Sequence, residues 1–254
     1  MLNTKSILLL ITLLIQFFHC DAQKKVVVAV AANAQFAMKE IEKNFEQETG
    51  IAIELIINSS GRLTAQVKED APFDIFLAAD MHYPQVLYQN GFTLNQPRIY
   101  AYGSLVLWSM SDIKKESVKR LLLSKKTDKI AIANPKVAPY GTAAIEVLKY
   151  YNIYTTVQPK LVNGESISQV NQYVVSGAAE LGFTAKSVVL SPEMKDRGYW
   201  TDVDAHTYNP IAQGVVLLKK SKEQNFKEAE QFYNYLFSEK AQRVFKKYGY
   251  RTQL

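Results

Sequence analysis

The 254 residues carry 30 Lys and Arg against 24 Asp and Glu, a net charge of +6. The cations are spread in short pairs such as Lys114-Lys115 and Lys246-Lys247, which reads as solvated surface and not as a nucleic-acid stripe. Cys20 is the only cysteine, which excludes an internal disulfide and, once the leader described next is removed, a thiol nucleophile and any sulfur-held metal.

Lys5 precedes the apolar run Ile7 to Phe18, too short to span a bilayer comfortably but suited to the core of a secretory signal. Cleavage after Ala22 makes residues 1–22 the expected signal peptide and the protein an exported one. The alternative is a lipoprotein with Cys20 acylated. Loss of Lys5 and Asp21 together leaves the mature charge at +6.

Strand and helix patterns then alternate, which predicts α/β architecture with parallel sheets and covering helices. Lys25 to Ala31 reads as a buried strand. Ala34, Ala37, Met38, Ile41 and Phe45 recur at helical spacing, with Gly50 as the stop. Next come strand 51–57, helix 63–69, strand 73–79, helix 83–89 ending at Asn90-Gly91, and strand 104–108. The middle repeats the scheme: strand 129–133, helix 142–151, strand 159–162, helix 167–176, strand 180–184. Strand 213–218 and helices 227–237 and 239–248 close the chain, the last stopped by Gly249. No low-complexity linker separates the pieces, so a boundary must be crossed at 102–108 and 209–216.

Three strand-to-helix junctions share a chemistry: Ala32-Asn33-Ala34, Asn58-Ser59-Ser60-Gly61 and Gly164-Glu165-Ser166-Ile167. Each offers backbone N–H groups at the positive end of a helix, where an anion is attracted. Asn and Ser are also the ordinary N-cap residues, so each junction alone reads as a cap, and three together suit a shared anion site. An enzyme has little to work with. His82 and His206 stand in unrelated contexts outside the leader, and no HExxH, GxSxG or phosphate-loop pattern is present. His82, beside Asp80 in AADMHYP, reads as a surface residue before a metal ligand.

The stretches AANAQFAMKEIEKNFEQETG, INSSGRLTAQVKEDAPFDIFLAAD, NPKVAPYGTAAIEVLKY, GESISQVNQYVVSGAAELGFTA and AQRVFKKYGY resemble, in order and at family spacing, the extracytoplasmic molybdate-binding proteins of ABC importers, the ModA family. PFDIFLAAD and the terminal YGY are the most specific of them. The resemblance implies a type II periplasmic binding protein: two α/β lobes joined by two crossover segments, with the ligand in the cleft. Lobe one would hold 23–103 and 211–254, and lobe two 104–210. It implies high-affinity binding of molybdate, and of tungstate, for delivery to a membrane permease and its ATPase, by a monomer with no cofactor and no catalysis. Sulfate, thiosulfate or a small organic anion are the alternative ligands.

Family ligand positions fall on Asn33, where the better-known branch has serine, with the neighbouring Ala32 N–H; on the Ser60 hydroxyl; and on the Tyr140 and Ile167 backbone N–H groups. A tyrosine hydroxyl of that branch falls on Ala185, so one donor is missing and the Asn-containing variant branch is indicated. Arg62, beside Ser60 in the second matched turn, reads as a surface contact. No residue is expected to ligate a metal cation directly, since the metal would arrive as its oxyanion.

Overall fold

The computed structural model describes residues 25–113 and 116–252. The leader, Cys20 and the Lys114-Lys115 pair lie outside the described residues. Ten strands run in chain order: β1 (Val26–Ala31), β2 (Ile53–Asn58), β3 (Ile75–Leu77), β4 (Arg98–Gly103), β5 (Leu105–Ser109), β6 (Ile130–Ala133), β7 (Leu161–Gly164), β8 (Leu181–Ala185), β9 (Tyr199–Asp202) and β10 (Ile211–Leu217). Between and after them come α1 (Gln35–Thr49), α2 (Ser60–Lys68), α3 (His82–Gln89), α4 (Val118–Leu123), α5 (Pro139–Tyr150), α6 (Tyr154–Val157), α7 (Ile167–Val175), α8 (Lys186–Val189), α9 (Ser221–Gln224), α10 (Phe226–Tyr235) and α11 (Glu239–Lys247).

The strands form two five-stranded sheets, ordered β2-β1-β3-β10-β4 and β7-β6-β8-β5-β9. Ser104 alone separates β4 in the first sheet from β5 in the second, and the chain returns to the first sheet at Ile211. The sheets are mixed, which corrects the expectation of parallel ones. β10 runs antiparallel to β3 and β4, and β5 runs antiparallel to β8 and β9. The strands that carry the chain between sheets enter without a covering crossover helix, and only such a helix forces parallel pairing.

The parallel pairs position the site. β1 and β2 end level, with Ala31 opposite Asn58, and β6 and β7 end level, with Ala133 opposite Gly164. Each pair therefore delivers its following turns at one carboxyl edge, where open α/β sheets bind ligands. The β-branched run of β1 is almost wholly buried. Behind it α1 packs Met38, Ile41 and Phe45, each fully buried, with the Phe45 ring edge-on to Phe232 at 4.9 Å. The helix ends at Gly50, whose φ of 71° is the left-handed cap that glycine takes at no steric cost.

Candidate functional site

The turns at these two edges face each other and enclose one small cavity. Its wall contains Ala32, Asn33, Ser60, Tyr140 and Ile167, together with Ala31, Ser59, Ala79, Ala138 and Pro139. All five positions taken from the resemblance thus come together, and each is at most 3% exposed. About 10 Å³ is open to the centre of a water-sized body, about the space of one very small molecule and too little for an extended solute. No charged residue lines it.

Four helical starts point at this space, and none is capped by its own side chain. The 3-10 turn Ala32–Ala34 follows Ala31, α2 follows Ser59, α5 follows Ala138 and α7 follows Ser166, all without a side-chain cap hydrogen bond. The contrast is with Ser117 and Ser238, away from the cavity, which do cap α4 and α11. Capping therefore does not account for the serines and asparagine at the cavity. First-turn N–H groups have no acceptor within their own helix, so those of Tyr140 and Ile167 are available to a guest. Pro139 at the first position of α5 carries no N–H and presets the turn, making Tyr140 its first donor. One first-turn donor of α2 is spent elsewhere: Gly61 N–H binds the Val137 carbonyl at 2.9 Å.

Ser60 Oγ accepts the Ala79 N–H at 2.9 Å. With a lone pair occupied, its own hydrogen is left to donate. Ser59, which sequence reasoning passed over, also lines the cavity, and its buried hydroxyl has no hydrogen-bond partner among the described residues. It reads from sequence as a plain N-cap, and only the failure of that cap reveals a second hydroxyl donor.

Behind the wall lies a buried polar network. Asn33 Nδ2 donates to Gln213 Oε1 at 2.8 Å and to Tyr250 Oη at 3.1 Å. Tyr100 Oη donates to Gln213 Oε1 at 2.6 Å, and Gln213 Nε2 reaches Tyr140 Oη at 3.3 Å. Tyr250 Oη and Ser187 Oγ both donate to the Asn33 carbonyl, at 2.9 and 2.7 Å. Burial pushes Tyr250 up to about 12 and holds Tyr100 and Tyr140 well above the ordinary phenol range. These hydroxyls stay protonated, so no phenolate opposes an anion. Gly103 makes the close approach possible, because a Cβ there would lie 2.1 Å from Tyr140 Oη and 2.4 Å from Gln213 Nε2.

Ala185 ends β8 fully buried and offers no side-chain donor. Arg62 is exposed and forms an ion pair with Glu165 across the cavity mouth, its Nε donating at 3.0 Å. The His82 ring sits edge-on to Tyr83 at 5.2 Å. Among the described residues no group of three His, Cys, Asp or Glu is placed to hold a metal ion.

A cavity walled by uncapped helix starts between two α/β halves is the arrangement of an extracellular solute receptor. Residues 26–251 match the model of the bacterial extracellular solute-binding proteins. The chain belongs to that family. It is similar to the molybdate-binding protein ModA of Azotobacter vinelandii, 39% identical over 92% of this chain and 93% of the relative. It is also similar to ModA of Rhodobacter capsulatus, 38% identical over 91% and 90%. Among solved structures, the periplasmic molybdate-binding protein of Azotobacter vinelandii superposes with a TM-score of 0.85 at 32% identity, over 90% of this chain and all of that one.

Proposed function

We propose that the chain binds molybdate, and tungstate with it, outside the cytoplasm and delivers the anion to the permease and ATPase of an ABC importer. The observation that carries this reading is the cavity itself: several uncapped N–H donors and the Ser60 hydroxyl hydrogen around a small space without charge. The names of the relatives support it.

The mechanism follows from hydrogen-bond polarity. Molybdate at neutral pH is a bare dianion that only accepts. The N–H groups of Ala32, Asn33, Tyr140 and Ile167 and the hydroxyls of Ser60 and Ser59 only need to donate. Each charge-assisted bond contributes about 1.5–3 kcal/mol, and the helix dipoles add to the sum, which together offset the cost of stripping water from the ion. A protonated phosphate brings an O–H that such donors leave unpaired, a penalty of about 1–3 kcal/mol. Sulfate satisfies the same donors but is smaller, so the span of the closed cavity selects against it. The second reading, a site for an organic anion, is disfavoured by the small cavity and its lack of arginine.

Residues 23–103 with 211–254 form one lobe of this receptor and 104–210 the other, in keeping with the strands each sheet contains. Both lobes supply donors, Ala32, Asn33, Ser59 and Ser60 from the first and Tyr140 and Ile167 from the second, so the anion holds the two closed, and the protein works as a monomer. Calorimetric titration tests the assignment. Molybdate and tungstate are expected to bind comparably and ahead of sulfate and phosphate, and Ser60→Ala is expected to weaken molybdate about 10-fold or more. Sulfate bound ahead of molybdate would overturn it.

A further inference from the structure

Asn33 Oδ1 is buried and unpartnered among the described residues, while its Nδ2 faces away from the cavity toward Gln213 and Tyr250. An amide turned this way offers an oxyanion its carbonyl end, the wrong polarity for a ligand that only accepts. We propose that Gln213 is the positioning residue that sets which end of the Asn33 amide faces the cavity, and that the two amides turn over together when a fully deprotonated oxyanion enters. This rests on the oxyanion reading of the site.

The surroundings of Gln213 permit the turnover because every partner of the pair that must change role is a hydroxyl, able to donate or accept. In the present polarity Gln213 Oε1 accepts from Asn33 Nδ2 and from Tyr100 Oη, and Nε2 donates weakly to Tyr140 Oη. After turnover Gln213 Nε2 donates to Asn33 Oδ1 and to Tyr100 Oη, and Oε1 accepts from Tyr140 Oη. Tyr100 Oη keeps an acceptor in the Ala78 carbonyl, 3.3 Å away. Tyr250 Oη, which accepts from Asn33 Nδ2 now, then donates to Asn33 Oδ1, and Ser187 Oγ continues to hold the Asn33 carbonyl. The orphaned oxygen gains partners and Nδ2 swings onto the anion; the bond given up behind the wall is that of Tyr250 Oη to the Asn33 carbonyl, which Ser187 Oγ still holds. The two ends of an amide have nearly the same shape, so the tight site around Gly103 accommodates both states.

Polarity then becomes a specificity element. The present arrangement suits an anion that carries a proton, and the reversed one suits a bare dianion. A glutamate at 213 can only accept when ionised, so it fixes Asn33 with Oδ1 in the cavity, whereas methionine neither fixes nor supports it. The test combines side-chain amide NMR of the nitrogen-15-labelled wild-type protein with molybdate titrations of Gln213→Glu and Gln213→Met at pH 8. Expected are downfield shifts of the Asn33 and Gln213 NH₂ pairs when molybdate binds, as the long Gln213 Nε2 contact is replaced by short ones. Gln213→Met should bind molybdate about 10-fold more weakly and Gln213→Glu about 100-fold. Should the variants fail to fold, the wild-type spectra alone decide. Molybdate bound by wild type with the Gln213 pair unmoved, or the two variants weakened equally, overturns this inference alone. A wild-type protein that takes no molybdate overturns the functional reading and this one with it.

Discussion

Asp80 directly follows the cavity-lining Ala79, and its carboxyl shows what that neighbourhood does to charge. Burial pushes its pKa up, against the lowering effect of the Tyr83 N–H that Oδ1 accepts at 3.2 Å. The folded protein therefore holds this proton more tightly than the unfolded chain does. Below the ordinary carboxylate value of about 4 Asp80 costs the fold nothing, and the cost grows as pH rises through the raised folded value, reaching its full size above it. Asp80→Asn keeps an oxygen for Tyr83 and removes the charge. Its thermal midpoint should exceed that of wild type at pH 7, with the gain fading as pH falls toward about 4. A gain of equal size at both pH values would show that the charge is not its source. A partly buried negative charge next to the cavity wall also works against the anion, which gives the site reason to rely on neutral donors in place of further ionised groups.

At the scale of elements, α2 carries both the cavity-lining Ser60 hydroxyl and the contact that brings the halves together. The N–H of Gly61 binds the Val137 carbonyl on the opposite side of the cleft, and a Cβ at Gly61 would sit 2.9 Å from Val137 Cα and 2.8 Å from Tyr83 Oη. The tyrosine can shift, but the Val137 backbone cannot without moving its whole turn. Gly61→Ala gains about 0.5–1 kcal/mol of helix propensity in any state, and the clash exists only when the halves are closed. Molybdate affinity is expected to fall about 10-fold or more while the ligand-free thermal midpoint holds or rises slightly; unchanged affinity would mean that closure does not need this approach. The repeating apolar periods made most elements legible, α1 and α7 above all. The edge strand β9 was not, because YWTD is half-exposed along its length and shows no alternation. α4 is a six-residue VKRLLL, too short to show a period. The five cavity-lining positions were legible through the resemblance, and as turns of small residues after strands. Gln213 was not: in IAQGVVL it reads as an outward polar residue, yet it is fully buried. Its partners Asn33, Tyr100 and Tyr140 come from three distant segments, and only the fold assembles them.

Across the whole molecule the two halves meet by different kinds of contact at the mouth and at the back of the cleft. The Arg62–Glu165 pair at the mouth is about half-exposed on both sides, and pairs of this sort contribute about 0–1 kcal/mol and are screened by salt. Tyr83 Oη to the Lys136 carbonyl at 3.2 Å and Ser168 Oγ to Gln35 at 3.3 Å add similar rim contacts. The back holds the buried links, Ser187 to Asn33 and Gln213 to Tyr140. Closure is thus set by what fills the cavity and by the network behind it, with the rim aligning the approach. The most direct test of the account is a crystal of the mature protein grown with molybdate and measured at the molybdenum absorption edge. One anomalous peak is predicted, in the cavity, within hydrogen-bond reach, through its oxygens, of the Ser60 hydroxyl and the Tyr140 and Ile167 N–H groups. A peak held by surface lysines, or an empty cavity at saturating molybdate, would contradict it.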